Sequence, residues 1–331
     1  RKLDYVYWSS PVANFASSAI SPATPTRLIR KWEPTTSTVY ANQFGNWVNG
    51  NEAMTIGRGY IVRAPGGWPT TPALFTANFV GTPNNGTITR TITRSDYTGT
   101  DYTGPTSTQV TANDDNWNLL GNPYPSAIDA DAFISTNITH LHGFVDLWKH
   151  GASPAAIADP FYQDYQLNYN PNDYLRYNHL GGTSLPDFHG KIGAGQGFFV
   201  LMRDAGTMTE VATFDNSMRS KDHRNDQFFR TTATTTSSID TVERHRIWMK
   251  LIAPSGLSSD MLVGYATGAT NSLDATFDAM NKGVKVNFEL YSLNEGEGLS
   301  IQGRALPFDS TDTIPLGVAI SQNGIQTIAI T

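Results

Sequence analysis

Two histidines spaced two residues apart are the strongest candidates for metal chemistry in this sequence. His140 and His142 flank Leu141, and alternate residues of a β-strand point to the same face of a sheet. A carboxylate such as Asp146 would have to converge on them to complete a site. Two such histidines are more often a solvated pair at a sheet edge, and the chain has no cysteine to supply a thiolate. We therefore expect no metal-ligating residue here.

A second group of possible ligands is the oxygen-rich stretch Asn168, Asn170, Asn172 and Asp173. Side-chain oxygens at this spacing would suit calcium, but recognised calcium loops carry more carboxylates and close on a glutamate. Asn and Asp also favour turns because their side chains bond the nearby backbone. Turn formation explains the stretch equally well, so calcium binding stays open and we expect no cofactor.

Three pairs of acidic residues could act as acid and base: Asp114 with Asp115, Asp129 with Asp131, and Asp159 with Asp164. A glycosidase needs two carboxyl groups that face each other across the scissile bond, and sequence spacing does not establish this. The GxSxG elbow of serine hydrolases and the HExxH helix of zinc proteases do not occur. We expect no catalytic residue, with a carbohydrate-active enzyme as the alternative.

Aromatic residues are dense in the same part of the chain, interleaved with Asn, Asp and Gln: Phe144, Trp148, Phe161, Tyr162, Tyr165, Tyr169, Tyr174 and Tyr177. This mixture suits stacking on sugar rings, with polar side chains meeting the hydroxyls. The more common role for such rings is to fill a β core. As candidate ligand-binding residues we select Trp148, Tyr162, Tyr165, Tyr169 and Tyr174.

The overall composition excludes several classes of protein. Only 16% of the 331 residues are charged and 11% are aromatic, a balance typical of all-β extracellular modules. The net charge of -6 argues against a surface that follows nucleic-acid phosphates. No apolar run approaches the ~20 residues of a membrane-spanning helix. The absence of cysteine excludes a disulfide framework but leaves secretion open.

The element expected to organise the chain is a strand that runs into a proline corner. Trp117, Leu119 and Leu120 indicate a short buried strand. The sequence GNPYP at 121–125 ends its pairing, because proline donates no N–H. Ser126 is then expected to cap a short helix with acidic residues in its first turn.

The same order of motifs occurs twice, which predicts two related β-rich units. In residues 1–112, YWSSPV is followed by MTIGRGYIVR and TANFVG; in residues 113–230, LLGNPYPS is followed by KIGAGQGFFVLM and VATFDNSMR. The second unit has extra residues between its corner and its glycine-rich strand, as expected of inserted loops. Glycines in these strands are expected to let neighbouring strands approach closely: Gly57, Gly59, Gly193, Gly195 and Gly197.

A Thr- and Ser-rich stretch at residues 231–243 is predicted to be a linker. Residues 244–331 then show short β runs at close intervals, typical of a sandwich or jelly roll, and we expect this third β-sandwich to be truncated. The chain begins at Arg1 in strand-like sequence, so we expect an internal segment of a longer precursor. The predicted fold class is all-β, with tandem β-sandwich or jelly-roll-like domains and short helices.

Several separated motifs together resemble one group of proteins: GNPYPSAID at 121–129, GAGQGFFV at 193–200, FDNSMR at 214–219, and RIWMKL followed by LVGYATGATNSLD. They resemble Bacteroidetes secreted and cell-surface proteins exported by the type IX secretion system, in which such modules lie upstream of a C-terminal sorting domain. The resemblance implies contact with the type IX machinery during export, and then secretion or display on the outer face of the outer membrane. It implies no catalytic residues.

The sequence therefore favours a non-catalytic structural or adhesive module, with surface glycans or other extracellular proteins as candidate partners and neither nucleic acid nor a membrane span. A glycoside hydrolase, or the accessory domain of one, is the alternative. The resemblance also implies O-glycosylation where Asp-Ser/Thr precedes a small or aliphatic residue, which selects Thr241, Ser310 and Thr313. Ordinary turn residues that cap their own backbone are the alternative for these three.

Overall fold

The computed structural model describes residues 1–37, 44–103, 108–111, 115–149, 155–156, 167–168, 171–184, 188–223, 225, 244–282, 285–286, 288–320 and 323–331. Residues 1–112 contribute seven strands: β1 (Tyr5–Trp8), β2 (Ile29–Glu33), β3 (Asn46–Asn49), β4 (Tyr60–Arg63), β5 (Ile88–Thr93), β6 (Tyr102–Thr103) and β7 (Thr108–Val110). The next segment contributes β8 (Trp117–Gly121), β9 (Ile128–Asp129), helix α1 (Ala130–Asn137), β10 (Val145–Trp148), β11 (Ala155–Ala156), β12 (Leu167–Asn168), β13 (Tyr174–Asn178), β14 (Gly181–Gly182), β15 (Lys191–Ile192), β16 (Gly197–Leu201) and β17 (Thr209–Phe214). The last segment contributes β18 (Arg244–Ile252), β19 (Ser258–Ala266), β20 (Ala279–Met280), β21 (Lys285–Val286), β22 (Phe288–Asn294), β23 (Glu297–Ala305), β24 (Leu316–Ile320) and β25 (Thr327–Ile330).

The all-β prediction is confirmed, and three sheets carry most of the structure. A four-stranded sheet has the order β1-β4-β2-β3, and a five-stranded sheet has the order β14-β13-β10-β16-β8. The third sheet, with the order β24-β22-β23-β19-β18-β25 and β20 beside β23, curls into a half-barrel. In the ranges that the structure describes, the α-helix has 8 residues, and no helix is long and apolar enough to cross a membrane.

Four strands of the second sheet have the same order and the same register as the four strands of the first, and β14 is additional. In the first sheet β1 pairs with β4, β4 with β2, and β2 with β3; in the second, β8, β10, β13 and β16 take the places of β1, β2, β3 and β4. Trp8 lies opposite Tyr60 in one ladder, and Leu120 lies opposite Phe198 in the other. The predicted boundary at 112–113 stays a prediction, since residues 112–114 lie outside the described ranges.

The two units contact each other reciprocally through their corners. Trp8, at the end of β1, forms an antiparallel bridge with Gln196, just before β16. In the equivalent contact Leu120, near the end of β8, bridges Arg58, just before β4. Residue i of one unit thus contacts residue j of the other, and j contacts i, which is the pattern of a twofold relationship.

Glycine is required where these strands cross. A Cβ placed on Gly59 would lie 2.5 Å from Leu119 Cγ and 2.6 Å from the carbonyl oxygen of Leu120. A Cβ on Gly197 would lie 3.0 Å from Tyr7 Cβ. Because Tyr7 and Leu119 occupy the same place in the two ladders, the same close approach occurs twice, as predicted for these two glycines.

The corners themselves are held by equivalent side chains. Asn122 accepts a hydrogen bond from the backbone N–H of Tyr124 (3.0 Å), and its amide donates to three backbone carbonyl oxygens. At the matching place in the first unit, the Ser10 hydroxyl accepts a longer bond from the N–H of Val12 (3.3 Å). A polar side chain that bonds the backbone two residues ahead stabilises a tight turn.

The predicted cap of α1 is wrong by three residues. Asp129, not Ser126, precedes the helix, and its carboxylate accepts a hydrogen bond from the N–H of Ala132 (3.1 Å). The Ser126 hydroxyl instead accepts a hydrogen bond from the Arg219 guanidinium (2.8 Å). Both Ser and Asp can cap a helix, so the ladder between β9 and β15 decides where the chain turns helical.

The cores are partly separate and partly shared. One core lies around Tyr60 in the first unit, another around Phe133 and Phe198 in the second, and a third lies inside the curled sheet around Phe288. A fourth core joins all three segments and includes Tyr7, Phe199 and Ile301, together with other buried residues. Strand β5 also pairs along its whole length with β17, so the first two units share both a core and a sheet.

Candidate functional site

The structure brings together two of the five predicted ligand-binding residues. Trp148 in β10 lies directly opposite Tyr174 in β13. Their rings are 4.8 Å apart between centroids and nearly perpendicular, with an interplanar angle of 70°. The other three predicted residues, Tyr162, Tyr165 and Tyr169, lie outside the described residues.

A matching aromatic pair occurs in the first unit. Trp32 in β2 lies opposite Trp47 in β3, and the rings are 5.3 Å apart at 73°. The register of the two sheets makes Trp32 the counterpart of Trp148 and Trp47 the counterpart of Tyr174. Sequence reasoning missed this pair, although Trp32 follows the first corner much as Trp148 follows the second.

Tyr7 connects the two pairs. Its ring centroid is 5.9 Å from those of Trp47 and Trp148, and its hydroxyl lies 2.5 Å from that of Tyr174. Burial raises the pKa of the Tyr7 hydroxyl, because the anionic form is unfavourable away from water. Phe199 makes nearly perpendicular contacts with five other aromatic rings. We call Tyr7, Trp32, Trp47, Trp148, Tyr174 and Phe199 the aromatic cluster.

The aromatic cluster is buried at its centre and partly open at its ends. Tyr7 and Phe199 are buried, while Trp32, Trp47, Trp148 and Tyr174 are half-buried. Tyr7 stacks on Trp148 with an interplanar angle of 18°, so one face of that indole is already occupied. The ring edges and the remaining faces are therefore the parts of the cluster that a ligand could contact.

Two other aromatic residues of the predicted group fill the core. Phe144 and Tyr177 are 1% and 4% exposed. The Arg176 guanidinium lies 4.4 Å from the centre of the Phe144 ring, and Phe188 packs at right angles to Tyr177. Phe161 lies outside the described residues. The expectation that rings in this region serve packing is correct for Phe144 and Tyr177.

The two histidines do not form one site with Asp146. His140 Nδ1 lies 3.4 Å from a Glu210 carboxylate oxygen. Burial and nearby cationic groups lower the pKa of His142 to about 3, and its Nε2 has no hydrogen-bond partner among the described residues. Asp146 instead forms a buried bidentate pair with Arg176, at 2.7 and 2.6 Å. Among the described side chains, no group of three or more could hold a metal.

The oxygen-rich stretch is only partly described. Asn168 ends the two-residue strand β12, Asn170 lies outside the described ranges, and Asn172 and Asp173 belong to a 3-10 turn. The carbonyl oxygen of Asp173 accepts a hydrogen bond from the N–H of Lys149 (2.8 Å). This part of the stretch therefore holds the end of β10.

The described acidic candidates are engaged within the protein. Asp129 caps α1 and pairs with Lys191, which helps to lower the pKa of its carboxyl although burial opposes this. Burial raises the pKa of Asp131, and it raises that of Asp115 to about 6. Asp115 accepts a hydrogen bond from the N–H of Tyr97 (2.5 Å). The remaining candidates, Asp114, Asp159 and Asp164, lie outside the described residues.

Two predicted O-glycosylation sites are exposed. Ser310 and Thr313 are both on the surface, in the segment that leads into β24. Asp309 accepts hydrogen bonds from the N–H and the hydroxyl of Thr311, and Asp312 pairs with Arg304. These bonds hold the segment in place while the hydroxyl-bearing side chains remain accessible. The third candidate, Thr241, lies outside the described residues, as does the predicted linker 231–243.

Comparison with other proteins identifies one family. A search of curated proteins and a search of solved structures found no match. One family, described as a Domain of unknown function (DUF8693), matches the chain over residues 1–331. Because the match covers the whole chain, the protein belongs to the DUF8693 family.

Proposed function

We propose that the protein is a non-catalytic structural or adhesive module of a secreted or surface-displayed bacterial protein. The observation that carries the proposal is the reciprocal contact between the two units, in which each corner lies against the glycine-rich strand of the other. Units joined by a shared core and a shared strand pair move together. They are suited to holding a binding surface at a fixed distance, which is what a spacer or an adhesin requires.

The charged side chains support the same proposal. The buried pair Asp146–Arg176 links the second unit to the third sheet, because Arg176 also donates to the carbonyl oxygens of Met280 and Lys282. Arg304 and Asp312 pair in the same way within the third segment. These groups hold segments together, and groups already paired in this manner are not available as acid and base for hydrolysis.

The ligand we propose is a glycan, bound at the open ends of the aromatic cluster. In the sequence, the segment between Trp148 and Tyr174 contains the other three candidates, Tyr162, Tyr165 and Tyr169. Aromatic rings pack against the apolar faces of sugars, and neighbouring Asn and Asp side chains suit the hydroxyls. Trp32 and Trp47 offer a similar surface in the first unit.

A glycan array probed with the labelled protein tests the ligand. Bound glycans are then titrated by calorimetry against Trp148→Ala, which should weaken binding at least about tenfold, in line with the loss of an aromatic anchor. The matched control is Trp68→Ala, which removes a half-buried indole that packs on Phe75 outside the cluster and should leave affinity unchanged. Equal losses in both variants, or no bound glycan, would contradict a site at the aromatic cluster.

Export by the type IX machinery is a separate part of the proposal. It predicts that proteinase K added to intact native cells digests the protein, or that the protein is found in the culture fluid. In a strain without the type IX translocon, the protein should remain protected inside the cell. Accumulation inside wild-type cells would contradict secretion, and unchanged export in the translocon mutant would contradict the route.

O-glycosylation is proposed at Ser310 and Thr313, whose exposure would admit a transferase, and at Thr241. A glycan there would be bulky and would shield the surface around it. Intact-mass analysis of protein from the native host should show sugar-sized increments, lost stepwise in Ser310→Ala and Thr313→Ala. A mass equal to that of the sequence would contradict the modification.

A further inference from the structure

Strand β24 is an outer strand of the curled sheet, and its side chains alternate. Leu316, Val318 and Ile320 are 44%, 46% and 43% exposed, while Gly317 and Ala319 are half-buried. The three exposed residues lie opposite Ser292, Leu290 and Phe288 of β22. Since Leu290 and Phe288 belong to the core of the curled sheet, β24 extends the apolar face of that core into solvent.

No strand in the described part of the chain pairs with the backbone of β24 on its outer side. The carbonyl oxygen of Pro315 accepts a hydrogen bond from the N–H of Leu293 (2.8 Å), which makes this a hydrogen-bonded pair of the antiparallel ladder. Such pairs alternate with non-bonded ones, so Gly317 and Ala319 complete the ladder with β22. The N–H and C=O groups of Leu316, Val318 and Ile320 therefore point away from the sheet.

This edge lacks the usual protection of edge strands. Natural edges carry charged residues, proline within the strand or a bulge, which prevent pairing with another chain. The sequence LGVAI has no charge and no proline, and its ladder with β22 has no register shift. Such an edge is suited to pair with an extended, uncharged strand whose larger side chains recur at every second residue.

We propose that β24 pairs antiparallel with β24 of a second copy of the chain, across a twofold axis at Val318. The strand alternates large and small residues symmetrically about its centre, so Leu316 would face Ile320 of the second copy and Gly317 would face its Ala319. Val318 would face its own counterpart and exchange two backbone hydrogen bonds with it. β24 is itself an extended, uncharged strand with larger side chains at every second residue, so it is a suitable partner for its own edge. Twofold pairing limits the assembly to two copies.

Pairing through one five-residue strand buries less than the ~1,200 Å² of a small stable interface. The dimer is therefore weak, and it forms at micromolar concentrations or above. Both copies carry a net charge of -6, while the paired strands carry none. Added salt screens the repulsion between the copies and should strengthen the dimer.

Sedimentation velocity over a range of concentrations tests the proposal. The full chain should shift reversibly from its 36.2 kDa mass toward twice that value. Val318→Lys places two like charges opposite each other and should raise the dissociation constant at least about tenfold. The matched control, Ile328→Lys, changes an equally exposed residue (47%) on β25, the opposite edge of the sheet, and should leave the dimer intact.

A disulfide cross-linking test does not require the protein to fold with a lysine in β24. The chain has no cysteine, and hydrogen-bonded antiparallel residues lie ~5.5 Å apart between Cα atoms, within disulfide range. Val318→Cys should cross-link under mild oxidation, while Ile328→Cys should not. A monomer at every concentration, cross-linking through residue 328, or masses that keep rising beyond two copies would each overturn the β24 dimer, the last by indicating head-to-tail pairing of β24 with β25.

Discussion

The first two units share their strand order but differ in what covers their sheets. At one equivalent position, the first unit has Arg30 opposite the exposed Asn49, and the second has Asp146 opposite Arg176. The third sheet contacts the second unit there, so the same place in the ladder becomes buried and needs a complete ion pair. Gly59 and Gly197 agree because each meets a strand of the other unit, whereas Arg30 and Asp146 differ because the third sheet contacts the second of these two positions.

The largest loss of stability is expected at the position where the two units differ in both charge and burial. Asp146→Asn removes the charge that compensates the buried Arg176 guanidinium, and breaking a buried pair in this way costs about 3–5 kcal/mol. Arg30→Ala, at the counterpart position, should cost less than about 1 kcal/mol because Arg30 is only half-buried. Urea denaturation of both variants measures the contrast. Equal losses would show that burial by the third sheet does not govern the pair.

The glycines at the strand crossings should respond unequally. Gly59→Ala places a Cβ against the backbone oxygen of Leu120, which cannot move without shifting β8, so we expect a loss of about 3 kcal/mol. Gly197→Ala meets Tyr7 Cβ at 3.0 Å and should cost about 1 kcal/mol. Thermal unfolding of both variants provides the comparison, and a larger loss for Gly197→Ala would contradict the geometry of the two crossings.

A residue exchange tests the twofold relationship directly. Ser9 and Gly121 occupy equivalent places after β1 and at the end of β8, and a Cβ on Gly121 would collide with that of Ser9. Gly121→Ser alone should cost about 2 kcal/mol. The double variant Ser9→Gly, Gly121→Ser should recover most of this loss, because one side chain is again present at the contact. Simple additivity of the two single losses would argue against equivalence.

The extra residues of the second unit should make the protein sensitive to acid. The pKa of His142 is lowered to about 3 by burial, so the unfolded chain binds its proton near pH 6.5 and the folded chain does not. Stability is therefore complete at neutral pH and falls as pH decreases, by about 2 kcal/mol between about pH 6 and pH 4.5. His142→Gln should flatten this part of the stability profile.

Metals and a chelator are expected to have no effect on the stability of the protein. The candidate metal ligands all lie in the second unit, between His140 and Asp173. A bound structural metal would contribute several kcal/mol to folding. We expect EDTA, zinc and calcium to leave the melting temperature unchanged. A shift of more than a few degrees would add a metal site to the differences between the units, with residues 168–173 as the first place to examine.

The sequence predicts the local elements better than the contacts between them. The corner at GNPYP and the glycine-rich strands were recognisable because proline and glycine act on their own backbone, and all-β composition is a property of the whole chain. The pair Trp32–Trp47 was missed because its relation to Trp148–Tyr174 depends on register, and two tryptophans 15 residues apart carry no sign of facing each other. The Asp146–Arg176 pair was missed for the same reason, since its burial depends on a third sheet more than 100 residues away.

The contact between Ser9 and Gly121 has an evolutionary consequence. A residue beside a twofold axis meets its own counterpart, and in a dimer of identical chains both must be the same amino acid. When the two units belong to one chain, each side can mutate independently, so one can keep a side chain while the other has none. A single chain that contains both units can therefore have serine on one side of the crossing and glycine on the other. Two separate copies of one identical unit could not combine these two residues. Related sequences that differ at this contact should retain one small and one larger residue, in either order.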